Sequence, residues 1–221
     1  MMNSFIKSKY LTVTVILLSL SFLARAVVSS SSVSSSSGDI LSGFMQKVAS
    51  SYVTFSYTYS VDSQVKINGS GTAEVQGDSF YMKSSGMEIW CNGKTKWTVD
   101  RASSEAVIES VESSSNDYYS NPARLIGSLD AAFVRIGVSS GVFRGKNVKI
   151  FSLEPKSVGN INMLKLYFSG NSLSGASVTV KDGTETEFII SNVRFLGKTV
   201  PSHFDFDVKS LDKSYIVTDL R

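Results

Sequence analysis

The stretch VTFSYTYSV, residues 53–61, decides the fold. Val53, Phe55, Tyr57, Tyr59 and Val61 alternate with Thr54, Ser56, Thr58 and Ser60. A period of two places one apolar and one hydroxyl-bearing face on an extended chain, which is the pattern of a half-buried β-strand. Downstream, further short strands read near 64–76, 79–84, 87–91, 95–100 and 105–111. Asn68-Gly69 and Asn92-Gly93 read as two-residue hairpin turns, because both central positions of a type I′ turn need positive φ. Strands resume near 147–154, 161–169, 175–181, 185–192 and 203–209, with Asp182-Gly183 as another turn. No internal repeat is visible.

Upstream, the period is different. Ile40, Leu41, Phe44, Met45 and Val48 recur at helical spacing over residues 38–51, with Asp39 as a cap. Residues 116–133 interrupt the strands. There Asn121-Pro122 pairs a cap with proline at the first helical position, and Leu125, Ile126 and Leu129 form a small apolar face. Ten or eleven strands and two short helices predict a mainly β, α+β fold: a curved antiparallel sheet forming an incomplete barrel, lidded by the helices. Such a sheet makes an apolar trough, which the helices either fill or leave open for a ligand.

The first 26 residues read as an address. Lys7 and Lys9 precede an apolar run from Tyr10 to Leu23, and Ala24-Arg25-Ala26 is a small-x-small site. This is the order of a secretory signal peptide, cleaved after about Ala26. The run falls short of the roughly 20 residues that span a bilayer. No Cys follows it closely, so the mature chain is expected to be exported without a lipid of its own. Residues 27–38 are a Ser-rich flexible tether, including SSSSVSSSS at 29–37. Residues 39–221 are then one domain.

Composition narrows the chemistry. The chain has 221 residues, 42% hydrophobic and 11% aromatic, enough to build a core. Its formal charge of +3 comes from the leader. Without Lys7, Lys9 and Arg25 the 22 basic residues fall to 19 and equal the 19 acidic ones. Nucleic-acid binding needs a basic excess, and none survives. One His and one Cys leave little for a metal site, a catalytic triad or a disulfide.

Individual candidates for catalysis read as ordinary. His203 sits near Asp205, but no nucleophile motif accompanies it. Cys91 lies in a strand with no base beside it, as a buried or half-buried thiol. Asp205 and Asp207 share one side of the strand read at 203–209, opposite Phe204 and Phe206, as its wet side. The aromatic and Met content points elsewhere. Phe80, Met82, Met87, Ile89, Trp90 and Trp97 fall in three neighbouring strands, and Met suits surfaces that accept varied apolar ligands.

The hairpin CNGKTKWTV, residues 91–99, resembles the S-D-G-K-T-x-W-x-Y hairpin of the periplasmic lipoprotein carrier family, LolA. Upstream, GSGTAEVQGDSFYMK at 69–83 is similar to that family's G-x-G-x and F-x-[apolar]-K strand pair. Asn121-Pro122-Ala123-Arg124-Leu125-Ile126 resembles its N-P-x-x-L-[LI] helix, and Phe151–Lys156, FSLEPK, its F-x-L-x-P-K strand end. The strand at Lys165–Phe168, the Asp182-Gly183 turn and Phe204-Asp205-Phe206 follow in the same order. The resemblance runs over residues 40–221. It implies a half-barrel with a cavity for acyl chains, no reaction and no cofactor. The implied role is a monomeric periplasmic chaperone, in a Gram-negative cell, that takes acylated lipoproteins from an inner-membrane ABC transporter to an outer-membrane acceptor. A lipid- or lipoprotein-sensing module of the same fold is the alternative. The cavity candidates are Phe44, Val48, Phe55, Tyr57, Phe80, Met82, Met87, Ile89, Trp90, Trp97, Leu125, Ile126 and Leu129. One departure stands out. The family typically carries an Arg, in K-R-P, that holds the lid closed; here Lys83 is followed by Ser84, which cannot make a charge-assisted, multi-donor contact. Arg124, on the second helix, is the substitute considered for that role.

Overall fold

A computed structural model describes residues 40–62, 67–111 and 129–221. The leader, the Ser-rich tether, Asp39, Arg124, Leu125 and Ile126 lie outside the described residues. Among those described, α1 (Ile40–Ser50) is followed by β1 (Tyr52–Asp62), β2 (Ile67–Gln76), β3 (Ser79–Ser84), β4 (Met87–Cys91), β5 (Thr95–Asp100) and β6 (Glu105–Ser110). After a short helix, α2 (Leu129–Ala132), come β7 (Phe133–Phe143), β8 (Lys146–Pro155), β9 (Ile161–Ser169), β10 (Ser172–Val180), β11 (Glu185–Leu196) and β12 (Ile216–Asp219).

These strands form one curved, unclosed sheet in the order β12-β6-β5-β4-β3-β2-β1-β11-β10-β9-β8-β7. Two meanders, β1–β6 and β7–β11, join where β1 pairs antiparallel with β11. All pairings are antiparallel except β12 with β6. Bulges where Thr54 and Ser56 pair with β11, and between Arg135 and Gly137 in β7, break the register. Asn192, at φ 55, sits in the first of them. Bulges increase local twist and bend, which a sheet this wide needs in order to curve.

Cross-strand partners share a face, so the register sorts every strand into two sides. We call the side that carries α1 the inner face. On it Leu41, Phe44 and Val48 of α1 pack with Val53, Leu129, Phe133, Phe151, Leu153, Leu164, Leu166 and Phe168 in one buried cluster. The stripe read from helical spacing is therefore the face that docks.

Several expectations are corrected. Asn68-Gly69 is not a turn; it lies inside β2, with Asn68 paired to Ser60 and Gly69 to Tyr59. A Cβ on Gly69 would stand 2.5 Å from the Tyr59 ring, so glycine is there to let that ring lie flat. The β4–β5 turn forms, but only Gly93 is left-handed (φ 85); Asn92 instead uses its side-chain oxygen to accept from the amides of Lys94 and Thr95, at 3.0 and 2.8 Å. β7 and β12 were not expected. β7 is diluted by Gly137 and Gly141, and its turn to β8 uses Arg144-Gly145, both at positive φ, rather than an Asn-Gly or Asp-Gly pair.

The strand expected at 203–209 is absent. Pro201 opens a 3-10 turn, Pro201–Phe204, and Asp207 caps a second, Val208–Ser210, by accepting from the amide of Lys209. Phe204 is nevertheless fully buried. The segment is a strap across the outer face. Gln76 brackets the backbone of Thr199 with two hydrogen bonds of 3.0 and 2.8 Å. Asn92 donates to Asp205 at 2.7 Å, and the Phe206 ring lies tilted against that of Trp90, centroids 5.9 Å apart. The strap then delivers β12 to the edge of β6.

Candidate functional site

The inner face of β1–β4 has an uncharged floor. The register places Val53, Phe55, Tyr57, Tyr59 and Val61 there with Ile67, Gly69, Gly71, Ala73 and Val75, then Phe80, Met82 and Ser84, then Met87, Ile89 and Cys91. Phe55, Tyr57, Tyr59 and Phe188 tile it, with ring centroids 6.2–6.5 Å apart. Gly71 and Gly69 make the tiling possible. A Cβ on Gly71 would stand 2.6 Å from the Tyr57 hydroxyl and would overlap the Lys83 carbonyl oxygen. Burial pushes the Tyr57 phenol up from its ordinary pKa, and a hydrogen bond with Ser84 opposes that shift. Ser84 itself donates to the Ser70 carbonyl at 2.8 Å.

The other half of the inner face is covered by α1. Phe44 sits edge-on to Phe168 at 5.4 Å and to Phe195 at 6.1 Å. Beneath the helix a cleft of about 30 Å³ is lined by apolar residues alone, Phe44, Val48, Val53, Phe55, Val75, Leu173, Ile190 and Val193. At the Ile40 end of α1 lies a wider, more open hollow of about 530 Å³ against β7, β8 and β9. The helix is thus seated on the sheet by side-chain packing over a partly filled trough.

Most of the sequence candidates meet on this face. Phe44, Val48 and Leu129 share the cluster under α1. Phe80 and Ile89 are buried together with Met82 and Met87 against them, Tyr57 belongs to the ring floor, and Phe55 touches all three clusters. Trp90 and Trp97 do not join them. Trp90 pairs with Tyr81 and with Trp97, which puts both indoles on the outer face, opposite Phe80 and Ile89. Trp90 lies 4.0 Å from the Tyr81 ring and 5.9 Å from that of Phe206, under the strap. Tyr59, Phe188 and Leu173 were not among the candidates. Tyr59 was legible, since it continues the alternation of Phe55 and Tyr57. Phe188 was not, because Phe188-Ile189-Ile190 is apolar at every position.

The polar candidates are dispersed: His203, Asp205 and Asp207 lie on the strap over the outer face, and Cys91 lies on the inner one. His203 Nε2 lies 2.7 Å from Glu74 Oε2 and 3.3 Å from the Tyr52 hydroxyl. Tyr52 donates to the same carboxylate at 2.5 Å. Burial, then that hydrogen bond and its charge, raise the Tyr52 phenol far above its usual range. Asp205 and Asp207 serve separate partners, Asn92 and the Lys209 amide. Cys91 is buried with its Sγ accepting from the Gly93 amide at 3.4 Å. Among the described residues no group of three His, Cys, Asp or Glu side chains could hold a metal, and no helix is long and apolar enough to cross a membrane. What the inner face of β1–β4 offers a ligand is apolar area.

A family model described as "Outer membrane lipoprotein carrier protein LolA" matches residues 63–207. No curated protein matches the sequence. Among solved structures, an uncharacterized conserved protein from Thermus thermophilus aligns with a TM-score of 0.50 at 9% identity, over 81% of this chain and 96% of that one. A LolA superfamily protein from Nitrosomonas europaea aligns at 0.41 and 10% identity, over 76% of this chain and 96% of that one. The MucA/MucB complex of Pseudomonas aeruginosa aligns at 0.35 and 7% identity, over 77% of this chain and 60% of that one. At such identities the likeness concerns the fold alone.

Proposed function

Because this chain belongs to the LolA family, we propose that it is a carrier that takes up the acyl chains of lipoproteins on its inner face and moves them through the periplasm, from an inner-membrane release transporter to an outer-membrane acceptor. The observation that carries this reading is the uncharged floor of β1–β4, continuous with an all-apolar cleft under α1. Each CH₂ removed from water stabilises a complex by roughly 0.8 kcal/mol. A multiply acylated protein therefore leaves a membrane only into a surface of this kind.

A carrier must also let go. In this reading α1 is the movable cover, held by Phe44, Val48 and Leu41 through packing rather than a charged latch. Ser84, where the family's lid-closing Arg would stand, is occupied locally with Ser70 and Tyr57. Transfer in one direction then requires an acceptor with higher affinity, since a ligand moves an equilibrium only by its differential affinity. Residues 1–26 are the export signal, and no reaction is assigned to the protein.

The test adds the purified protein to Gram-negative spheroplasts and looks for outer-membrane lipoproteins in the supernatant, one per carrier. Release at that stoichiometry supports transport. Binding of acylated peptides without release replaces the carrier with a lipid- or lipoprotein-sensing module. Absence of both overturns the reading and leaves the trough as filled core.

A further inference from the structure

We propose that the hollow at the Ile40 end of α1 is a headgroup subsite for an anionic lipid, with Lys149 as the cation that holds it. The proposal rests on the reading of the inner face as an acyl-chain site. Lys149 pairs with Ser140 of β7 and Phe168 of β9, so it stands on the inner face, half-buried, at the wall of the roughly 530 Å³ hollow. Asn147, two residues along the same strand, shares that side and lines the same hollow. An ammonium, an amide and a hydroxyl therefore converge beside Ile40, Val142 and Phe168.

Within the described residues the charge is uncompensated. Among the described residues no carboxylate pairs with Lys149. At the far end of the same face Lys96 is neutralised by Glu109 at 2.9 Å. A partly desolvated ammonium without a partner gains from an anion delivered by a ligand, and charge-assisted hydrogen bonds are the stronger kind. From Ile40 to Val48 the helix covers about 12 Å, from this hollow to the apolar cleft beneath Phe44 and Val48. A head group at Lys149 thus points its chain under α1. Phe44, edge-on to Phe168, stands in that path and must swing aside as the chain enters.

The shared chemistry is a carboxylate or phosphate on an acyl chain. The test measures displacement of a neutral fluorescent chain by oleate, by oleoyl-lysophosphatidate and by neutral monoolein. Wild type is expected to bind at least one anionic ligand about tenfold more tightly than monoolein, roughly 1.4 kcal/mol. Lys149→Met is expected to erase that preference while leaving monoolein and the melting temperature unchanged, and Lys149→Arg to keep it. Whichever anionic ligand loses more identifies carboxylate or phosphate as the natural group. Equal weakening of all three by Lys149→Met, or no preference in wild type, overturns the subsite while leaving the acyl site standing. Failure of every chain to bind wild type overturns the acyl reading itself.

Discussion

Replacing Phe44 by Ala tests how α1 is held. The side chain is 7% exposed and makes two edge-on ring contacts, to Phe168 and Phe195, above a cleft that is already about 30 Å³. Burial of a Phe in a core that relaxes incompletely is worth about 3–5 kcal/mol against Ala. Each edge-to-face pair contributes roughly 0.5–1.5 kcal/mol within that. The cavity left behind opens into the existing cleft, so little collapse is available, and a loss of about 4 kcal/mol is expected. For a domain of this size each kcal/mol lowers the melting temperature by roughly 2–4 °C, which gives a drop of about 10 °C. Urea unfolding followed by far-UV circular dichroism measures the free energy, and a constant m-value checks that the variant still unfolds as one unit. A loss below about 1 kcal/mol would refute the docking of α1 on Phe168, and with it the idea that acyl chains compete with the helix.

Other outcomes follow from the same geometry. Acyl chains brominated near their ends should leave Trp90 and Trp97 fluorescence nearly unquenched, since both indoles lie on the outer face; strong quenching would mean that the faces are assigned the wrong way round. Gly71→Ala forces a Cβ into the Lys83 carbonyl oxygen and should cost about 2–3 kcal/mol. Gly77→Ala, at φ 58 with nothing within 4 Å, should cost only about 1 kcal/mol; equal melting temperatures for the two variants would contradict the ring-on-glycine packing. In an alkaline titration followed by tyrosinate absorbance, Tyr52 should ionise last. Its folded-state pKa is raised, so its contribution to stability is complete below about pH 10 and is lost as pH climbs above that. Tyr52→Phe should abolish the last step, and an unchanged titration curve would dismiss the Tyr52–Glu74–His203 cluster.

Much of the strand order was legible, for a local reason. In β1 the alternation of Val53 through Val61 is complete, and β3, β4 and β9 are bounded by Gly, Asn, Asp or Ser turns. Asp182-Gly183 worked as a turn signal because a short carboxylate and a left-handed glycine (φ 88) close the hairpin with no tertiary help. Asn68-Gly69 misled because the same dipeptide serves a different need, space for the ring of Tyr59. That need arises on another strand and leaves no mark in the local sequence. β7 was missed because Val134, Ile136 and Val138 stay exposed at the edge of the sheet, among glycines and serines that weaken the period.

By itself, the sequence determined that the chain alternates and where α1 carries its apolar stripe. It could not determine which side of each strand is inside. A period of two is the same seen from either face, and β4 carries large apolar side chains on both, with Ile89 and Cys91 on one side and Trp90 beside Glu88 on the other. Only cross-strand register breaks that symmetry, by tying Trp90 to Tyr81 and Ile89 to Met82. The strap shows the same limit. Phe204 and Phe206 alternate like a strand, yet Pro201 and Asp207 turn the backbone, and the burial of Phe204 comes from the outer face it crosses rather than from any ladder.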